Sequence, residues 1–210
     1  MENELPTLRS EYTSDSLDER ALPVDPVTLF RAWFADAGTL PEPNAMVLAT
    51  VSADGQPSSR IVLLKGLDDR GFSFFTNQAS RKGEELAANP RCALLFPWHP
   101  LQRQVRVEGV ASRLGEAEVA AYFAKRPRGA QLGAMASPQS QVVSREELDE
   151  RFAAADAAYP DDVPVPAGWG GYVVEPALVE FWQGGVNRLH DRLRYRRIPA
   201  GQWVLDRLAP

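Results

Sequence analysis

Four basic side chains recur at every second position in the stretch NRLHDRLRY: Arg188, His190, Arg192 and Arg194. Read as extended chain they share one face, with Leu189, Asp191, Leu193 and Tyr195 on the other. Such a face is either solvated and salt-bridged or built to hold an anion. Further cations come in clusters. Arg60 and Lys65 bracket the apolar run Ile61, Val62, Leu63 and Leu64. Ser80, Arg81 and Lys82 open a segment read as a helix, where free N–H groups and the dipole add to the positive field. Two cations at that end are locally unfavourable unless an anion compensates them. Arg126 and Arg128 flank Pro127. Each cluster alone has a plain reading as a solvated terminus or an ordinary cap. Thr76, Asn77, Gln104, Gln139 and Ser140 lie beside apolar runs. They supply the donors and acceptors that a planar heteroaromatic ring rich in N and O would need.

The absent motifs narrow the chemistry. There is no G-x-x-x-x-G-K-[ST], no G-x-G-x-x-G after a strand and no G-x-S-x-G. With two histidines and one cysteine, no zinc constellation can be assembled, and no metal is expected. A phosphate-bearing ligand would have to be held by side chains. The net charge of −5, from 23 basic and 28 acidic residues, argues against a nucleic-acid partner but leaves room for a local basic pocket. The lone Cys92, inside CALLF, reads as a small buried hydrophobe in a reducing compartment. The first residues carry neither a basic n-region nor an apolar h-region, and no apolar stretch approaches the roughly 18 residues of a membrane span. The expectation is a soluble, cytoplasmic protein without membrane contact.

The elements that must position these groups are short. Residues 1–20 are polar and aperiodic, an expected flexible arm, and residues 21–210 read as one domain. Asp25 and Pro26 open a helix whose stripe is Leu29, Phe30, Trp33 and Phe34, ended by Gly38. AMVLATV, RIVLLK and GFSFFTN read as strands, with Asp54-Gly55 as a hairpin turn. The continuous apolar core of RIVLLK implies a strand buried on both faces, in a barrel or at an interface. SRKGEELAANP reads as a helix with Ser80 as N-cap, and RCALLFPW and RQVRVEGVASRL as strands. Two helices follow, GEAEVAAYFAKRP and SREELDERFAAADAAYP, the second with a Ser144–Glu147 capping box. GYVVEPALVEFWQ and NRLHDRLRYRR read as strands joined by Gly184-Gly185, and QWVLDRLAP as a last strand. The fold class is α+β, mainly β: an antiparallel barrel with peripheral helices.

Taken in order, RSEY, AMVLATV, RIVLLK, FFTN, SRK, LLFPW, RQVRVEG, YFAKRPRGAQLGAMAS, WGGY, FWQGGVNRLHDR and the terminal DRLAP resemble the pyridoxamine/pyridoxine 5′-phosphate oxidase family through nearly the whole chain. The resemblance implies an FMN-binding split β-barrel that works as a homodimer with FMN at the interface. It implies oxidation of pyridoxamine 5′-phosphate and pyridoxine 5′-phosphate to pyridoxal 5′-phosphate, with dioxygen as acceptor and hydrogen peroxide released. By the same resemblance FMN is held by Arg60, Ile61, Val62, Leu63, Leu64, Lys65, Phe75, Thr76, Ser80, Arg81, Lys82, Gln104, Gln139, Ser140, Trp182 and Arg192. The substrate phosphate sits against Lys65, Tyr122 and Arg126. Arg188 and His190 lie over the pyridine ring as the catalytic pair, and Arg9 and Tyr12 of the arm close over the site as a lid.

Some positions depart from the family pattern. Ser10 replaces a basic residue, Phe75 a tyrosine, Ala130 a serine on the substrate phosphate, Met135 a tryptophan and Glu42 an aspartate. None removes a principal cation. A lost hydroxyl at Ala130 is worth about 0.5–1.5 kcal/mol, which affects affinity rather than reaction class. Two other readings stay open: a related flavin oxidase acting on a phenazine-type ring, and a non-catalytic protein that binds FMN or pyridoxal phosphate.

Overall fold

A computed structural model describes residues 11–12, 16–199 and 201–210. Among them are nine strands and five α-helices: α1 Pro26–Asp36, β1 Ala45–Val51, β2 Pro57–Leu63, β3 Gly66–Asp68, β4 Gly71–Asn77, α2 Arg81–Ala88, β5 Arg91–Phe96, β6 Arg103–Arg113, α3 Glu116–Phe123, α4 Arg128–Ala136, α5 Arg145–Ala158, β7 Trp169–Gln183, β8 Asp191–Arg197 and β9 Trp203–Arg207. The strands pair in the order β2-β1-β5-β6-β7-β4-β3, with β8 on β7 and β9 on β8. The β3–β4, β4–β7, β7–β8 and β8–β9 pairs are antiparallel. The class is α+β and mainly β, as expected. No helix among the described residues is long and apolar enough to cross a membrane.

The described chain divides into two compact units. One comprises residues up to 47, 93–108 and 176–210. Its helix α1 starts where Asp25 accepts the N–H groups of Val27 and Thr28, and it buries the expected stripe through Leu29, Phe30 and Trp33. Phe30 meets Phe96 edge-on at 4.9 Å, Trp33 meets Phe181 at 5.1 Å, and Phe181 meets Tyr195 at 5.8 Å. Burial lifts the Tyr195 phenol to about 12, and its hydroxyl donates to the Pro23 carbonyl.

The other unit comprises 48–92 and 109–175. Its core gathers Leu114, Val119, Phe123, Leu132, Ala155, Val163, Trp169 and Val173. Cys92 is buried, and burial pushes its thiol up to about 12, where it is an inert hydrophobe. Ser144 caps α5 through the Glu147 N–H, but the Glu147 carboxylate turns to Arg151 rather than closing the box.

Three expectations need correction. The RIVLLK strand is not buried on both faces in the single chain: β2 is the edge strand, its burial alternates, and Ile61 is 70% exposed. A continuous apolar run there marks a surface left to be covered, not a strand inside the chain's own core. Helix α4 was not expected: Pro127 reads as the break of the preceding helix, and the segment after it is given no element. Pro127 instead stands at its N-cap, and Gly129 and Gly133 lie in open space. The basic face of NRLHDRLRY is also broken. Val186–Arg188 is a single 3₁₀ turn with Asn187 at φ 55° and Arg188 at φ 65°, and the strand starts only at Asp191. Arg194 is half-buried and ion-paired with Asp206.

Gly83 shows how tightly α2 is seated. A Cβ there would stand 2.1 Å from the Gln78 carbonyl oxygen. We expect Gly83→Ala to cost about 1–3 kcal/mol in urea unfolding, because the turn before α2 must move to relieve the overlap. A variant as stable as the parent would show that the turn gives way freely.

Candidate active site

A cavity of about 830 Å³ opens within the second unit. Strand β2 and the residues after it supply Ser58 to Leu63 and Lys65, β4 supplies Phe75, Thr76 and Asn77, and α2 supplies Arg81 and Lys82. Helix α3 and the turn after it add Tyr122 and Arg126; α4 and its C-terminal turn add Ala130, Gly133, Ala134, Ser137, Gln139 and Ser140. The small residues 130, 133, 134 and 137 recur at helical spacing, so α4 turns a side-chain-poor face to the cavity.

Lys82 is 7% exposed, and its Nζ donates to Thr76 Oγ1 (3.1 Å), Ser80 Oγ (2.8 Å) and Gln139 Oε1 (3.0 Å). Burial, then the nearby Arg60 charge, depresses the ammonium to about 8. Ser80 stands at the N-cap position but makes no capping bond; its hydroxyl donates to the Asn77 carbonyl instead. Arg60 donates to the Leu48 carbonyl (3.2 Å), and the Arg81 backbone N–H donates to Ser140 Oγ (3.1 Å). Lys65, Tyr122 and Arg126, the residues that the resemblance gives to the substrate phosphate, line the same cavity. The Arg126 guanidinium lies 5.2 Å from the Trp169 ring centroid and donates through Nη2 to the Ala130 carbonyl, while its Nε is buried without a partner. Phe75, Tyr122 and Trp169 lie nearly parallel, Phe75 on Tyr122 at 3.9 Å. Gly171, opposite Phe75 in the β4–β7 register, makes room for that ring: a Cβ there would stand 2.7 Å from it.

A smaller cavity, about 210 Å³, lies within the first unit. Leu95, Gln104, Arg106, Glu180, Trp182, Arg192 and Pro210 line it. Glu180 is buried and accepts from Arg192 Nε (2.8 Å) and Arg106 Nη2 (2.7 Å), while Arg106 Nε is buried without a hydrogen-bond partner. The Glu180 hydrogen bond raises the Arg192 pKa above its ordinary value. Beside it, Tyr12 packs edge-on against Trp182 (5.8 Å) and His190 (5.4 Å), and Arg188 lies over the Tyr12 ring at 5.4 Å. The Gly185 N–H donates to His190 Nδ1 (3.1 Å), which places the proton of the neutral ring on Nε2. Burial, then the Arg188 charge, lowers the His190 pKa, so the neutral form prevails at pH 7.

The sequence of residues 35–159 matches the family model described as pyridoxamine 5′-phosphate oxidase, and residues 169–210 match the pyridoxine 5′-phosphate oxidase C-terminal dimerisation region. This chain belongs to the pyridoxamine 5′-phosphate oxidase family. A pyridoxine/pyridoxamine 5′-phosphate oxidase from a Nocardioides species is 61% identical over 99% of this chain and 98% of its own. One from Salinibacter ruber is 58% identical over 99% and 100%. Among solved structures, PhzG from Burkholderia lata 383, in complex with tetrahydrophenazine-1-carboxylic acid, superposes with a TM-score of 0.87 at 35% identity, covering 93% of this chain and 98% of that one. An FMN-binding, pyridoxamine 5′-phosphate oxidase-related protein from Nostoc punctiforme shares the fold, with a TM-score of 0.76 at 16% identity over 90% and 100%. The architecture is the split barrel of FMN-binding members of this family.

Against that family pattern, the sequence-predicted residues fall into distinct places. Arg60, Ile61, Val62, Leu63, Lys65, Phe75, Thr76, Arg81, Lys82, Tyr122, Arg126, Gln139 and Ser140 line the larger cavity. Leu64 and Ser80 are buried and do not line it; Ser80 acts through Lys82. Gln104, Trp182 and Arg192 line the smaller cavity. Arg188 and His190 meet at Tyr12, and Arg9, like Ser10, lies outside the described residues. Sequence reasoning missed Trp169 under Arg126 and the two buried carboxylates, Glu85 and Glu180. A carboxylate within an apolar or cationic run was the available signal: EEL on α2 and VEF on β7. Of the departures, Ala130 uses only its carbonyl, Met135 packs against the core, and Glu42 holds a left-handed turn at φ 45°.

Proposed function

We propose that this oxidase converts pyridoxamine 5′-phosphate and pyridoxine 5′-phosphate to pyridoxal 5′-phosphate. The observation that carries this reading is a single cavity lined by five cationic side chains, Arg60, Lys65, Arg81, Lys82 and Arg126. A cofactor phosphate and a substrate phosphate each carry close to two negative charges, and Arg and Lys clusters match that demand. The fit is chemical as well: the cavity offers Lys82 as a buried ammonium and Arg126 Nε as an unpartnered buried donor. FMN is the cofactor; bound there, it would supply an acceptor for the hydride from substrate C4′ and a route for the electron pair to dioxygen, giving hydrogen peroxide.

The chain's own residues bind and orient. Lys82, Arg60 and Arg81 hold the FMN phosphate. Thr76, Gln139 and Ser140 supply hydrogen bonds around it. Lys65, Tyr122 and Arg126 hold the substrate phosphate. Arg188 and the neutral His190, donating through Nε2, orient the pyridine ring. Arg192, oriented by Glu180, would contact the flavin together with Gln104 and Trp182, which line the same cavity. Tyr12, packed on Trp182 and His190, shields that side of the site from water. The match to the C-terminal dimerisation region supports a homodimer in which each FMN draws on both copies.

The test is turnover by the purified protein. We expect a yellow dimer that consumes oxygen with pyridoxine 5′-phosphate and releases an aldehyde absorbing as pyridoxal 5′-phosphate. The likeness to PhzG at 35% identity supports a second reading, a phenazine-type ring substrate. Oxidation of tetrahydrophenazine-1-carboxylic acid without turnover of either phosphorylated pyridine would establish that reading instead. Flavin binding without any oxygen consumption would leave a carrier.

A further inference from the structure

Glu85 has no part in the proposed chemistry, and it does not line the cavity, yet it touches both Arg60 and Arg81. It is 5% exposed. Its Oε2 accepts from Thr50 Oγ1 (2.5 Å), Ser58 Oγ (2.7 Å) and Arg60 Nη2 (3.3 Å). Its Oε1 accepts from Arg81 Nε (2.8 Å). These donors come from β1, β2 and α2. We propose that Glu85 is a positioning residue for the FMN phosphate, locking the Arg60 and Arg81 guanidinium groups from two elements into one anion-binding arrangement. The inference rests on the reading that this cavity takes FMN.

The local chemistry favours orientation over simple charge balance. Arg60 is tied at several points: Nη1 to the Leu48 carbonyl and to Thr50, Nη2 to Ser58 and to Glu85. Arg81 is half-exposed, and its described side-chain bonds run only through Nε to Glu85. Its two terminal nitrogens make no hydrogen bond among the described residues, so they remain available to an anion. Burial alone would raise the Glu85 carboxyl; the hydrogen bonds from Thr50, Ser58 and Arg81 outweigh it and hold the group down at about 2. The carboxylate is therefore ionised at any working pH. A glutamine of the same size would turn an amide N–H₂ toward groups that are donors themselves.

The sign of the effect separates positioning from electrostatics. Removing a negative charge beside a cation cluster should strengthen anion binding if the cations stayed in place. Positioning requires the opposite. The full-length chain, freed of flavin, is titrated with FMN and with riboflavin, which differ only in the phosphate, and binding is followed by flavin fluorescence. We expect Glu85→Gln to weaken FMN binding about tenfold or more while riboflavin affinity changes less than about twofold. Thr50→Val keeps the shape, lies outside the cavity lining and removes one hydrogen bond to Glu85 and one that holds Arg60 in the same network; it should weaken FMN several-fold and spare riboflavin. This second variant carries the test if Glu85→Gln does not fold. FMN affinity that is unchanged or tighter in both variants overturns the proposal. So does a parallel loss of riboflavin binding, which marks a merely structural role. A wild-type protein that holds riboflavin as tightly as FMN would instead remove the cavity reading itself.

Discussion

Lys82→Met should lower FMN affinity about a hundredfold in a fluorescence titration, the largest cofactor effect we expect from one side chain. The substitution keeps the length of the chain and removes a buried charge. It also strips Thr76, Ser80 and Gln139 of their shared donor. The wild-type ammonium gives the same residue a pH signature. Its proton leaves near 8 in the ligand-free fold, against an ordinary value of 10.5. Between those values the unfolded chain binds more protons than the folded one, so the ligand-free protein gains stability as pH rises through the window. FMN affinity moves the other way, because the phosphate needs the protonated form. Thermal melts and FMN titrations between about pH 7 and 10 should therefore show opposite trends, and both should vanish in the methionine variant. FMN affinity flat across pH 8 in the wild type would remove Lys82 from the phosphate site.

Arg188→Ala should cut kcat/KM for pyridoxine 5′-phosphate by about a hundredfold, through loss of a charge-assisted contact to the ring. A second readout ties the effect to His190. The Arg188 charge is one of the two causes, after burial, that keep the imidazole pKa low. Without it, His190 takes up a proton at higher pH, so the acid limb of the kcat/KM profile should move upward. Arg188→Lys keeps the charge and should restore the limb while recovering only part of the rate, since the planar fork is lost. Unchanged kcat/KM in the alanine variant, or an acid limb that stays put, would sink the assignment.

Much of the scaffold was legible because local chemistry and burial agree there. Asp25-Pro26 starts α1, Asp54-Gly55 turns β1 into β2, and the half-buried alternation of Val105 and Val107 marks β6. The failures share a cause: period and propensity describe a segment, not what lies beside it. Period 2 put Arg188 beside Arg192, but Gly185 brings the chain so close to Leu189 that a Cβ there would stand 2.1 Å from its carbonyl oxygen. The resulting loop sends Arg188 to Tyr12 and leaves Arg192 to Glu180. Helix α4 goes unassigned because Pro127 reads only as the end of the helix before it; the small residues after it suit a helix whose face a ligand must approach. Glu85 and Glu180 left only a faint trace, a carboxylate inside EEL and VEF, because a buried carboxylate is identified by its partners, which come from distant strands.

Strand β2 has a double assignment. Arg60, Ile61, Val62 and Leu63 line the larger cavity, and Ile61 is at the same time 70% exposed on the sheet's edge strand. Side chains that alternate along one backbone cannot be restrained independently: whatever covers Ile61 also narrows the torsional freedom of Arg60 and Val62. Occupancy of the cavity and coverage of that edge are thus thermodynamically linked, each lowering the entropic cost of the other. A chain with this strand bare is at once the least adhesive toward flavin and the most adhesive toward other strands.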